Sequence, residues 1–171
     1  SRPSRKARSI LAAENQIPAT VGLTGTLTIN AAADADGKPR RPTFQMEAYN
    51  GGPMSLAGWR HPVIVDGGGV SMVAEQLPVY VTHELTTENL VGQTARLTVD
   101  GGQIRAAGTF TASRETSRPY AQVLDHSANG YKWQCSIGAG VARYEFCEEG
   151  KQVTVNGKSY AGPVYVARRI A

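Results

Sequence analysis

The chain is poor in the features that identify several large classes of protein. Only two of its 171 residues are cysteines, Cys135 and Cys147, which excludes a disulfide-rich secreted scaffold. No run approaches the roughly 18 apolar residues of a membrane-spanning helix, and the first residues contain no apolar signal segment. We therefore expect a soluble protein without a membrane partner. The two cysteines could face each other across a hairpin, but we interpret them as reduced thiols.

Aromatic residues make up only 7% of the chain, whereas 19 glycines and 9 prolines interrupt it. This mixture favours a turn-rich β or α+β fold over a helical bundle. The excess positive charge belongs to the first eight residues, which contain four cations and no acid: Arg2, Arg5, Lys6 and Arg8. Residues 9–171 are neutral, and we predict a basic, flexible arm over residues 1–16 and a single domain over 17–171. We expect no nucleic-acid binding beyond that arm.

Alternating apolar residues predict a series of strands and one helix. Val21, Leu23, Leu27 and Ile29 share one parity, which is typical of a half-buried strand. Gly101-Gly102 and Asn156-Gly157 predict tight hairpin turns, and Ser117 with Pro119 predicts the start of a helix over 117–126. The other predicted strands are 44–49, 62–66, 78–83, 93–99, 103–110, 131–141, 152–155 and 163–170. The segment 142–147 follows the strand over 131–141, and a loop is predicted over 30–42.

About eight strands and one helix indicate a mainly β (β/α+β) fold. The count fits a closed or nearly closed antiparallel β-barrel with one or more packed helices. We expect no internal repeat and no linker that would divide the domain.

The most informative residue for function is Ser136, in the segment Trp133-Gln-Cys-Ser-Ile-Gly-Ala-Gly140. Strand alternation turns Cys135 towards the core and Ser136 and Gly138 towards the opposite face. Glycines beside a serine leave room for a substrate backbone, and their N–H groups could stabilise an oxyanion. The alternative is a solvent-facing serine beside glycines that mark a bulge.

A base for such a serine is available in His83, which shares its parity with Val79 and Val81. We expect its imidazole on the apolar face or at its end, where it acts either as a general base or as a structural histidine bonded to a carbonyl. Asp125-His126-Ser127 cannot form a relay, since consecutive helical residues point in different directions. Cys135 points into the predicted core. The three histidines lack metal-ligand spacing, which predicts no metal site.

Several short motifs follow one another in an order that resembles the prohead (capsid maturation) serine proteases of tailed bacteriophages, distant relatives of the herpesvirus assemblin proteases. The motifs are Tyr80-Val-Thr-His83, Val91-Gly92, Val99-Asp-Gly-Gly-Gln-Ile-Arg-Ala-Ala-Gly108, the helix from Ser117, Cys135-Ser-Ile-Gly138 and Tyr165-Val-Ala-Arg-Arg-Ile-Ala171. They cover somewhat over half of the chain. The resemblance implies a herpesvirus-protease-like barrel.

The resemblance also implies roles for individual residues. His83 becomes the general base and Ser136 the nucleophile, while Arg168 and Arg169 become analogues of an arginine pair that helps build the oxyanion site beside Gly138. No metal or organic cofactor is implied. The family supplies an acidic residue after the Arg-Arg run, so we expect the chain to be truncated and the third triad member to lie beyond Ala171 or elsewhere.

The implied function is a serine endopeptidase that processes the capsid scaffolding protein, or the scaffolding segment of the major capsid protein, and itself. It would act by self-association and co-assembly inside the procapsid, in the host cytoplasm. The rival hypothesis is a non-catalytic capsid assembly or scaffolding module on the same barrel. A nucleic-acid-binding barrel is a third hypothesis, which an exposed aromatic stripe would favour.

Overall fold

The computed structural model describes residues 20–30, 41–72, 74 and 76–171 of the chain. The predicted basic arm and most of the predicted loop over 30–42 lie outside the described residues. The structure has ten strands and one α-helix: β1 Thr20–Asn30, β2 Thr43–Asn50, β3 Val63–Val65, β4 Pro78–Tyr80, β5 Leu90–Asp100, β6 Gln103–Phe110, α1 Arg118–Ala128, β7 Gln134–Cys147, β8 Gln152–Val155, β9 Lys158–Ala161 and β10 Val164–Ile170.

Eight of the strands form one sheet in the order β3-β10-β7-β1-β2-β6-β5-β4, and β8 and β9 form a separate hairpin. Neighbours in the large sheet are antiparallel except β3 and β10, which are parallel. The sheet is strongly curled into a half-barrel. The prediction of a mainly β fold is confirmed. The described strands do not close the barrel, because β3 and β4 remain as edges that do not pair with each other.

The curl of the sheet encloses two apolar clusters on its inner face. The first cluster is built around Val21, Leu23, Tyr49 and Ile170, and the second around Phe44, Val91, Phe110 and Tyr120. Burying such side chains contributes roughly 1.5–3 kcal/mol each to folding. The alternating pattern of β1 is confirmed, because Val21 and Leu23 are buried while the threonines between the apolar residues face outwards.

Helix α1 covers the second cluster through an apolar stripe. Ser117 caps its N-terminus, since the hydroxyl accepts a hydrogen bond from the N–H of Tyr120, and Pro119 lies in the first turn. Tyr120 and Val123 are buried against the sheet. The Trp133 indole N–H, just before β7, donates to the Val123 carbonyl and the Ser127 hydroxyl. None of the helices in the described ranges has the length and apolarity needed to cross a membrane.

A third cluster joins the β8–β9 hairpin to the outer side of β10 and β3, around Ile64, Val155 and Val166. Asn156, in the predicted Asn-Gly turn, has φ of 52°. Its side chain accepts a hydrogen bond from the Gly67 N–H at 2.9 Å and donates one to the Val65 carbonyl at 2.8 Å. The hairpin turn is therefore hydrogen-bonded to the end of β3 and to the residues that follow it.

Candidate functional site

Ser136 lies on the outer face of β7, as its parity predicted. Its neighbours Cys135 and Ile137 pack against the second cluster, whereas Ser136 and Gly138 are exposed. A Cβ atom added at Gly138 would meet nothing within 4 Å, and the same holds for Gly22, its partner on β1. The surface beside the serine hydroxyl is therefore open to an extended backbone.

Among the described residues, nothing pairs with one edge of β7 along the segment that carries Ser136. β1 covers residues 134–140 on one side, but β10 covers only 141–147 on the other, ending in reciprocal N–H···O bonds between Gly140 and Ala171. No described strand pairs with 134–139 on that second side. Backbone groups alternate between the two edges of an antiparallel strand. Since Gly140 faces β10, the N–H and C=O groups of Ser136 and Gly138 face the unpaired edge.

The structure corrects the surroundings predicted for His83. The strand expected over 78–83 ends at Tyr80, and residues 81–84 form bends in which His83 is exposed. Of the two positions expected for its imidazole, on the apolar face or at its end, the exposure of His83 rules out the first. After Tyr80 the chain leaves the sheet, because the Val81 N–H donates to the carbonyl of Asn89 and so closes the loop between β4 and β5. β4 is an edge strand, and among the described strands it pairs with β5 alone.

Four strands lie between β4 and β7 in the sheet. Within the described residues, neither the His83 nor the Ser136 side chain makes a hydrogen bond or an ion pair, so their pairing stays a prediction. The curl of the sheet brings the β4 edge and β7 to the same apolar cluster on the inner face, whereas Ser136 lies on the outer face. Val79 and Val81 at the β4 edge pack against the same second cluster as Cys135 and Ile137 of β7.

The two arginines of the predicted oxyanion pair lie apart from Ser136. Arg169 pairs with Arg143 on β7, seven residues from Ser136, or about 23 Å along an extended strand. Arg168 bonds to Asp66 at 3.0 Å and to Glu145 at 2.8 Å. Partial desolvation opposes its charge, but these hydrogen bonds outweigh it and raise the pKa of Arg168. Of the three predicted oxyanion residues, the structure therefore brings only Gly138 close to Ser136.

Cys135, Asp125 and Ser127 have surroundings that fit a structural role, and Glu84 is the acid adjacent to His83 in sequence. Burial raises the pKa of the Cys135 thiol, which disfavours the thiolate. Asp125 bonds to Arg114, and Ser127 accepts the indole N–H described above. Glu84 is exposed in the bends beside His83. Across the described ranges, no three His, Cys, Asp or Glu side chains are grouped so that they could hold a metal ion.

Two features of this region have no local signal in the sequence. The unpaired edge of β7 could not be found by local patterns, because it depends on where β10, about 30 residues later, stops pairing. The arginine pair Arg143 and Arg169 depends on register shifts between β7 and β10. An irregular register leaves no periodic signal in the sequence.

Comparison of the chain with protein-family models, curated proteins and solved structures found no match. The resemblance to prohead proteases therefore depends on the order and spacing of its short motifs.

Proposed function

We propose that the chain is a serine endopeptidase of the prohead type, with Ser136 as its nucleophile and His83 as its general base. The observation that supports this proposal best is the exposed hydroxyl of Ser136 beside an unpaired strand edge and a surface bare of side chains. Proteins commonly bind an extended peptide by adding it as a strand to such an edge. A peptide paired with β7 would pass beside Ser136.

The chemistry follows the general scheme of serine nucleophiles. Ser136 Oγ attacks the carbonyl carbon of the peptide bond while His83 takes its proton, and the proton then passes to the leaving amine. Water hydrolyses the resulting ester and regenerates the hydroxyl. The oxyanion is stabilised by backbone N–H groups near Gly138. His83 must approach Ser136 to about 3 Å for the first step.

The resemblance supplies the biological setting of this proposal. The substrates are the scaffolding protein, or the scaffolding segment of the major capsid protein, and the protease itself, cleaved inside the procapsid. Co-assembly raises the local concentration of enzyme and substrate, so weak affinity suffices. None of these steps uses a metal or an organic cofactor.

A second candidate is a non-catalytic assembly module on the same half-barrel. The exposed position of His83, separated from Ser136 by four strands of the sheet, favours it. Such a module would use the β7 edge to bind a capsid or scaffolding segment without cleaving it.

Co-expression with the major capsid protein, followed by intact-mass analysis, separates the two candidates. We expect cleavage with the wild type and a loss of at least about a thousandfold in rate for Ser136→Ala and for His83→Ala. Thr24→Ala, which removes the cross-strand hydroxyl next to Ser136 on the same face, is the matched control and should retain cleavage. Equal cleavage by Ser136→Ala would overturn the protease assignment, and capsid protein that stays intact but bound would favour the assembly module.

A further inference from the structure

Three arginines line a cleft where the turn after β3 meets β7 and β10. The cleft has a volume of about 580 Å³, and its walls include Gly69, Ser71 and Ala142 besides Arg143, Arg168 and Arg169. None of the described residues that line it is acidic. This concentration of positive charge contrasts with the neutral balance of residues 9–171.

Two of these arginines have no ion-pair partner among the residues that the structure describes. Arg168 is balanced by Asp66 and Glu145. Arg143 and Arg169, in contrast, lie opposite each other on neighbouring strands, and neither forms an ion pair within the described residues. Like charges in directly opposed positions destabilise a sheet. An anion between the two guanidinium groups would relieve this repulsion, and arginine binds carboxylates and phosphates through paired hydrogen bonds.

The cleft opens on the same face as Ser136. Val141 and Ile170, which flank it, pack against the first cluster on the inner face, so their neighbours Ala142 and Arg169 point outwards. Ser136, Gly138, Gly140 and Ala142 form an exposed track on β7 with little or no side chain. The track is about 20 Å long, or six residues of extended chain. It connects the nucleophile to the arginines.

We propose that Arg143 and Arg169 form an exosite for carboxylates of the polypeptide substrate, about seven residues from the bond that is cut. The proposal rests on the proposed function for the identity of its ligand. The bare track favours an extended polypeptide over nucleic acid. The half-exposed aromatic rings Tyr144 and Phe146, which could stack on bases, lie opposite Ala167 and Tyr165 and share the inner face with the first cluster.

Binding of labelled hexaglutamate to the Ser136→Ala protein, followed by fluorescence anisotropy at low ionic strength, tests the exosite. We expect hexaglutamate to bind at least tenfold more tightly than hexaglutamine, and the Arg143→Gln/Arg169→Gln protein to lose that difference. Arg118→Gln/Lys158→Gln removes the same charge from exposed positions elsewhere and should retain binding within about twofold. Thermal unfolding of each variant shows whether it is folded, and Arg143→Lys/Arg169→Lys should keep part of the binding.

Three results would overturn the exosite. Equal binding of hexaglutamate by the proteins with and without Arg143 and Arg169 would show that these arginines form no exosite. An equal loss of binding in the Arg118→Gln/Lys158→Gln control would show that hexaglutamate is held by general charge attraction. A thymidine hexanucleotide that binds more tightly than hexaglutamate, and depends on the two arginines, makes the cleft a phosphate site. The binding assay uses no cleavage, so cleavage that persists with Ser136→Ala would overturn the proposed function and leave the binding result in place.

Discussion

Tyr49 shows how a single polar group is held inside the half-barrel. Its side chain is 2% exposed, and its hydroxyl donates to the Gly52 carbonyl at 2.6 Å and accepts the Val65 N–H at 3.0 Å. The hydroxyl thus joins the end of β2 to β3, which is too short to hold itself in place. Burial disfavours the phenolate and raises the pKa of Tyr49 to about 12.

Replacing Tyr49 by phenylalanine leaves the buried Val65 N–H without its acceptor. We expect the free energy of unfolding to fall by about 1–3 kcal/mol at neutral pH. The folded state retains the phenolic proton between pH 10, the ordinary pKa, and about pH 12, whereas the unfolded chain releases it. The neutral phenol therefore makes its full contribution to the free energy of unfolding below pH 10. As the pH rises from 10 through 12, the free energy of unfolding falls by roughly 2–3 kcal/mol.

Urea unfolding at several pH values measures this effect as the stability difference between the wild type and Tyr49→Phe. The difference should narrow between pH 10 and 12. A Tyr49→Phe difference that does not change over that range would contradict the assigned pKa.

The direction of individual side chains was predictable where apolar and polar residues alternate regularly along a strand. Ser136 faces outwards and Cys135 inwards as expected, because β7 keeps a period of two over its first half. The strand before His83 was predicted too long, because the apolar pattern of β4 continues past the point where its pairing with β5 ends. The partners of Arg168, Asp66 and Glu145, are 102 and 23 residues distant in sequence, and no local pattern identifies them.

Among the strands, β1 shows how closely two backbones approach within the sheet. β2 has a register shift between Glu47 and Tyr49, which places Ala48 as an extra residue opposite β6. Gly25 of β1 lies against this bulge, and a Cβ atom there would overlap the carbonyl group of Glu47. Gly22 of the same strand has open space around it.

Gly25→Ala tests the effect of close backbone packing in β1, and Gly22→Ala measures the effect of the same substitution in the same strand without that packing. We expect Gly25→Ala to cost about 3 kcal/mol or to prevent folding, because backbone atoms of β2 cannot yield as a flexible side chain would. Gly22→Ala should change stability by no more than about 0.5 kcal/mol. Chemical denaturation of both proteins checks the prediction, and similar stability of the two variants would show that the bulge does not constrain β1.

Elements with local signals were predicted best. The helix beginning after Ser117 and the turns at Gly101-Gly102 and Asn156-Gly157 are confirmed, since capping and positive-φ residues act over only a few positions. The parallel pairing of β3 with β10 was not predicted. It joins Ile64 to Val166 across about 100 residues, and nothing in either short apolar run identifies its partner.

At the scale of the whole molecule, the sequence indicated a barrel and the structure has a half-barrel. The count of strands and their alternation predict a curled sheet, but closure depends on whether the two edge strands meet. β3 and β4 are three residues each, and short edge strands are one way in which proteins limit further pairing. The unpaired part of β7 arises from the same geometry, because β10 pairs with only half of its length.

Hydrogen exchange of individual amides, measured by NMR, tests whether this edge is open. The Ile137 N–H faces β1, in agreement with the Leu27 N–H bond to the Trp133 carbonyl, whereas the Ser136 and Gly138 N–H groups face the unpaired edge. We expect these two to exchange at least about a hundredfold faster than Ile137. Equal protection would mean that another segment covers β7 and closes the sheet, and the edge would then be closed to a substrate strand. Fast exchange at Ser136 and Gly138 that slows when a peptide substrate is added to the Ser136→Ala protein would place the peptide on β7.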